Sequence, residues 1–241
     1  MNGFEKRIQP VRWMEMNLLA QKKIKMHILE MEDVLFHLDS AVMMPERPKG
    51  ASSSQGTPQP SQDRISGIQT LAVAYKQFEF DPRKRMLIAG HTDTSGKPAM
   101  NFELSRQRAD NVLHLLEGNR DLWADVCHKR HQIEDYQQIM RFLFENKRWG
   151  WSCDPLNLDN KWAEPTRKAI DSFKTDYNAW VQSGKAPPVA TPLPDDLALI
   201  VEKNPEHEWP LEAWKAGFDI YNDELAKALN VDISQLNTRY R

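Results

Sequence analysis

Asp93 and Arg108 stand in one stretch, "IAGHTDTSGKPAMNFELSRQRADNVLHLL", residues 88–116. An aspartate accepts hydrogen bonds from an ammonium group, and an arginine holds a carboxylate through two parallel bonds. At the two ends of a small pocket they would hold a zwitterion, its amine at Asp93 and its carboxylate at Arg108. The same side chains could instead pair with each other or face water. "CHKRH" offers a second set. Cys127 and His131 are i, i+4 on a helix and could share a face, as metal ligands or a Cys–His pair would. No second ligand pair accompanies them, and no hydrolase signature surrounds Cys127 or Cys153. A carboxylate pair for glycoside cleavage cannot be picked from spacing. His91, beside the loop, reads as structural. The chain therefore reads as non-catalytic, with no metal and no cofactor.

A strand before the Asp93 loop and a helix after it must position the pair. "RMLIAG" reads as a short buried strand closed by Gly90. In "NFELSRQRADNVLHLLEG", Ala109, Val112, Leu113 and Leu116 form a helical stripe, Asn101 is the expected N-cap, and Gly118 is the expected stop. Arg108 lies just beside the stripe, so its stem can pack while the guanidinium reaches out. Upstream, residues 24–44 read as extended, from "IKMHILEM" to "VLFHLDSAVMM". The segment "PERPKGASSSQGTPQPSQ" cannot build a core and reads as a loop. "DRISGIQTLAVAYKQF" places Ile65, Ile68, Leu71, Ala72 and Tyr75 at helical spacing, with Asp63 or Ser61 as cap and Pro82 beyond it. The order strand–helix–strand–helix predicts an α+β fold, a β-α-β-α half-sandwich with helices on one face.

From residue 119 the sequence is mostly helical. "DLWADVCHKR" and "IEDYQQIMRFLFENK" read as a helical pair. A helix from Thr166 to about Trp180 carries Ile170, Phe173 and Tyr177. "GKAPPVATPLP" reads as a linker. A last helix, "PLEAWKAGFDIYNDELAKALN", carries Trp214, Phe218, Tyr221, Leu225 and Leu229. The expected division is 1–118, 119–184 and 185–241.

Of 241 residues, 40% are hydrophobic and 27% charged, and the net charge is −2. That is an ordinary globular balance, with nothing to attract nucleic acid or an anionic membrane. No stretch approaches the roughly 20 apolar residues of a membrane span. The N-terminus carries charge where a signal peptide needs an apolar core. Two cysteines are too few for a disulfide framework. Eight tryptophans, among them Trp149, Trp151, Trp162, Trp180 and Trp209, suggest a helical core or a surface for sugars or a partner.

The stretch from Gly90 to Leu116 resembles the OmpA-like peptidoglycan-binding domain. That family's pattern is a Thr-Asp in a loop, a Gly, an Asn, LSxxRA, and an apolar helix. Here the pieces are Thr92–Asp93, Gly96, Asn101, Leu104–Ser105 and Arg108–Ala109. "VLFHLDSAVMMPE" is similar to the family's first strand and following turn, with Phe36 and Asp39 at the usual phenylalanine and aspartate. The resemblance covers residues 33–118. It implies that Asp93 takes the ammonium and Arg108 the carboxylate of diaminopimelate in the peptidoglycan stem peptide. Thr92, Asn101 and Leu104 would shape and close the pocket, with helix-start N–H groups helping to hold the carboxylate. Two departures stand out: an inserted loop after the first strand, and no closing strand after residue 118.

A weaker resemblance, over residues 150–180, is to a small three-helix peptidoglycan-binding domain found beside cell-wall hydrolases. It rests on Asp159, Trp162, Thr166, Ala169, Ile170 and Phe173, with both of that family's glycines replaced. Taken together, the resemblances imply a non-catalytic protein that binds peptidoglycan and acts in the periplasm at the cell wall. The alternatives are a peptidoglycan hydrolase targeted by the OmpA-like unit, or a leaderless effector or accessory part of a type VI-like secretion system. In the last case the partner would be a secretion-machine or cell-envelope protein, met through "FEKRIQPVRWMEMNLL", which otherwise reads as an ordinary edge of the fold.

Overall fold

The computed structural model describes residues 35–46, 66–80, 86–90, 92 and 97–241. Among them lie eight helices: α1 (Gly67–Phe80), α2 (Pro98–Glu117), α3 (Arg120–Lys129), α4 (Ile133–Glu145), α5 (Glu164–Gln182), α6 (Leu197–Lys203), α7 (Leu211–Leu229) and α8 (Ile233–Tyr240). The described residues hold no strand, which overturns the expected β-α-β-α half-sandwich.

The reason is visible at Ala41–Met44, four apolar residues with no exposed surface. A strand would bond to a neighbouring strand, because buried backbone groups must find partners. Here helices and loops supply them. Asn111 Oδ1 accepts from Met43 N at 3.3 Å, the Tyr221 hydroxyl donates to Met43 O at 2.6 Å, and Ala41 N donates to Arg130 O at 2.9 Å. Met44 N closes back on Leu35 O at 2.8 Å. The main-chain groups of the run are thus met by helices and by loop carbonyls. Met86–Gly90, the expected second strand, has no regular structure, and Leu87 is 84% exposed. Residues 24–34, Ser61, Asp63, Ile65 and Pro82, with most of the proline- and serine-rich segment, lie outside the described residues.

Helix α7 is the centre of the fold. It packs on α1, α3 and α8, and Trp214, Phe218, Ile220, Tyr221 and Leu225 are all buried. Trp123 of α3 meets Trp214, Phe218 and Tyr221 at ring-centroid distances of 6.3, 5.8 and 5.3 Å. Trp209 stacks on Tyr136 of α4 at 5.2 Å and 8°. Several tryptophans therefore serve as core. A part-buried ion pair joins α3 to α7: Arg120 donates to Asp219 through Nε (2.9 Å) and Nη2 (2.8 Å), and the Tyr177 hydroxyl donates to the same carboxylate at 2.8 Å.

Other boundaries moved. Helix α2 starts at Pro98 after an extended Lys97, so Asn101 lies inside the helix and is not its N-cap. Proline suits that first position because its missing N–H would be unbonded anyway. The cap of α1 is Ser66, whose hydroxyl accepts from Gln69 N at 3.3 Å. Helix α5 starts at Glu164, and the Thr166 hydroxyl is buried, accepting from Gln137 Nε2 at 2.9 Å. Gly118 ends α2 in the left-handed region, φ 72°, as expected. Helices α6 and α8 are short and were not legible. The closing "LNTRYR" lies mostly in α8. Its Arg241 donates to Leu115 O (2.7 Å) and Leu116 O (3.2 Å), carbonyls in the last turn of α2.

Candidate functional site

The inward face of α2 carries Leu104, Arg108, Asn111, Val112 and Leu115. This face is rotated from the expected stripe: Ala109 and Leu113 are only half-buried, and Arg108, expected at the border, is buried. A buried guanidinium needs hydrogen-bond partners. Arg108 Nε donates to Ser40 O at 3.0 Å and Nη2 donates to His37 O at 3.0 Å. Its central carbon lies 5.0 Å from the centroid of the Phe36 ring, a cation–π distance. The turn from Phe36 to Ser40 thus cradles the Nε/Nη2 edge of the guanidinium. A rigid fork matched to two carbonyls is held in one orientation.

This turn is itself fastened to the helical region. His37 Nδ1 lies 2.8 Å from Asp135 Oδ1, and Asp135, fully buried, also accepts from Gln132 N at 2.6 Å in the capping box of α4. Burial alone would lower the His37 pKa. The ring's hydrogen bond to Asp135 and the charges of Asp135 and Glu134 outweigh it, and the net shift is upward. Asp39 sits at φ 57°, and Arg130 Nε donates to its carbonyl at 3.0 Å.

Of the remaining candidate residues, Thr92 Oγ1 donates to Asn101 O at 3.4 Å, which places Thr92 at the first turns of α2. Leu104 is buried one turn before Arg108. Gly90 passes so close to α2 that a Cβ there would stand 1.9 Å from Ser105 O. Thr92, Asn101, Leu104 and Arg108 are therefore gathered along one segment of α2. Asp93, His91 and Gly96 lie outside the described residues. Phe36 was named only through the resemblance, and the Ser40 and His37 carbonyls escaped the residue-level reading, because main-chain acceptors leave no mark in a sequence. "VLFHLDS" was the only available signal.

Elsewhere, Cys127 is buried and accepts from Asn111 Nδ2 at 3.1 Å, and burial pushes its thiol pKa well up. His131 Nδ1 meets the Cys127 carbonyl (3.0 Å), and its Nε2 accepts from Trp209 N (3.3 Å). That ring is a structural link. His207 stacks on Trp162 at 4.7 Å and 13°. A cleft of about 530 Å³ near the α2–α3 junction is lined by Arg120, Asp219, Asn222 and Arg241, and Thr92, Asn101, Leu104 and Arg108 are not among its described lining residues.

Residues 59–121 match the model of the OmpA family. The chain carries an OmpA-like segment. The match includes Thr92, Asp93, Asn101, Leu104 and Arg108, and begins after Phe36 and Asp39, so the turn that cradles Arg108 falls outside it. An OmpA-like segment points to peptidoglycan binding in general and to association with the cell envelope. No curated protein and no solved structure matched the chain. Among the described residues, no helix is long and apolar enough to cross a membrane.

Proposed function

We propose that the OmpA-like segment binds the free end of diaminopimelate in the peptidoglycan stem peptide and so anchors the protein at the cell wall in the periplasm, without catalysis. The carrying observation is the family match across the whole Thr92–Arg108 motif. The fixed guanidinium of Arg108 supports it. With Nε and Nη2 directed at Ser40 O and His37 O, the guanidinium would meet the carboxylate in a fixed orientation. Asp93 would take the ammonium, Thr92 and Asn101 would set the loop against α2, and Leu104 would hold the helix in place from the core side.

The test is cosedimentation with intact sacculi. Diaminopimelate-type sacculi should retain the protein and lysine-type ones should not, because lysine lacks the side-chain carboxylate. Equal retention on both would remove the zwitterion pocket, and no retention on either would remove peptidoglycan binding altogether.

A further inference from the structure

We infer that His37 is a proton-sensitive positioning residue for Arg108, with Asp135 as its anchor; as a statement about ligand binding this rests on the reading above. His37 touches the arginine and the anchor with different groups. Its carbonyl accepts from Arg108 Nη2 at 3.0 Å, while its ring Nδ1 meets Asp135 Oδ1 at 2.8 Å. One residue thus joins the guanidinium on α2 to a fully buried carboxylate on α4.

The second ring nitrogen makes the link sensitive to protons. Nε2 is buried and finds no hydrogen-bond partner among the described residues, yet Glu134 Oε1 stands 4.0 Å away. On the neutral ring, with Nδ1 donating to Asp135, Nε2 is a bare acceptor aimed at a carboxylate. On the imidazolium it is a donor aimed at an anion, and the Asp135 bond, charge-assisted from the carboxylate side alone on the neutral ring, gains the attraction of a full ion pair. Protonation therefore tightens the turn onto α4, and the turn carries both carbonyls that orient Arg108.

The charged groups around the ring are Asp135 and Glu134 of α4 and Arg108 of α2. Arg130 holds the same turn through Asp39. His131, with its pKa lowered chiefly by burial, lies within the field of Asp135. The two carboxylates dominate, in keeping with the upward shift at His37. The sign follows: the tightened turn is complete at pH below the ordinary histidine value of about 6.5, and it loosens as pH rises through the higher folded value.

The test uses the full chain and two readouts. By NMR, the Arg108 Nε–H resonance is followed against the His37 ring titration, with Arg108→Lys to assign it. The Nε–H signal should move with the midpoint of His37. In His37→Asn, whose amide can still donate to Asp135 but cannot take a proton, it should stay flat. Glu134→Gln, a change at a partly exposed side chain that leaves the core intact, should lower the midpoint. The second readout is retention on diaminopimelate-type sacculi. It should fall about three- to tenfold between pH of about 5.5 and 8.5 in the unsubstituted chain and hold level in His37→Asn. An Arg108 signal indifferent to His37, or a midpoint unmoved by Glu134→Gln, overturns the relay even if sacculi bind. Failure to bind sacculi at any pH, with the Arg108 signal still tracking His37, removes the peptidoglycan reading and leaves the relay standing.

Discussion

The Tyr221 hydroxyl donates to the Met43 carbonyl at 2.6 Å, and both residues are buried. Burial pushes the Tyr221 phenol well above its ordinary pKa, so it remains a donor across the accessible pH range. With Asn111 accepting from Met43 N, both main-chain groups of Met43 are taken by helix side chains. Tyr221→Phe keeps the ring and leaves a buried carbonyl without its donor. It should cost about 1–3 kcal/mol, read as a lower urea midpoint with an unchanged helical circular dichroism spectrum. An unchanged midpoint would mean that Met43 O has another donor and that helices do not hold this run.

Arg108 combines burial with a proposed ligand role, so its substitution cannot leave the fold untouched. Arg108→Lys keeps the charge, but a lysine ammonium cannot reproduce the planar two-point contact with Ser40 O and His37 O. Stability should fall by about 1–2 kcal/mol while sacculus binding also weakens. Full binding by the lysine variant would show that the fork geometry is unnecessary.

Asp93→Ala separates binding from stability more cleanly. Losing one charge-assisted contact of roughly 1.5–3 kcal/mol should weaken retention on diaminopimelate-type sacculi about ten- to hundredfold. The melting temperature should stay within about two degrees of the parent. A large fall in melting temperature with binding retained would instead make Asp93 a partner of Arg108 within the fold.

Gly90→Ala tests the close passage over α2. The added methyl would stand 1.9 Å from Ser105 O and 2.8 Å from Ser105 C, both backbone atoms that cannot swing aside. The segment must lift from the helix and carry Thr92 with it. Weaker sacculus binding and a stability loss of about 1–3 kcal/mol are expected. Thermal melting and cosedimentation on the same preparation check both.

His37 also ties stability to pH. Its pKa is raised in the fold, so the folded chain keeps the proton longer than the unfolded one. The resulting stabilisation is fully present below about pH 6.5 and is lost as pH rises through the folded value. Urea midpoints of the parent should therefore exceed those of His37→Asn by more at about pH 5.5 than at about pH 8.5. An equal gap at both would show that His37 titrates alike in the folded and unfolded chains.

The helices were legible wherever an apolar period ran long enough. The Ile68–Tyr75 pattern marked α1, Val112–Leu116 marked α2, and Trp214–Leu229 marked α7, because one stripe of a helix must face the core whatever packs against it. The motif from Thr92 to Arg108 was equally plain, because its residue types and spacing lie within a single loop and helix. Gly118 as the stop of α2 was readable for the same local reason: a left-handed residue is needed there, and glycine adopts it without strain. The apolar run Ala41–Met44 was misread as a strand because burial and backbone pairing are separate facts. A short apolar run says that it is buried and cannot say which groups will satisfy its N–H and C=O. Asn111, Arg130 and Tyr221 supply those partners from far along the chain, and only the packing of α2, the end of α3 and α7 brings them there. The inward turn of Arg108 has the same origin. Its place one step from the apolar stripe read as a packed stem with an outward guanidinium, whereas the carbonyls of Ser40 and His37, fixed through Asp135, make the core side the one where its charge is met.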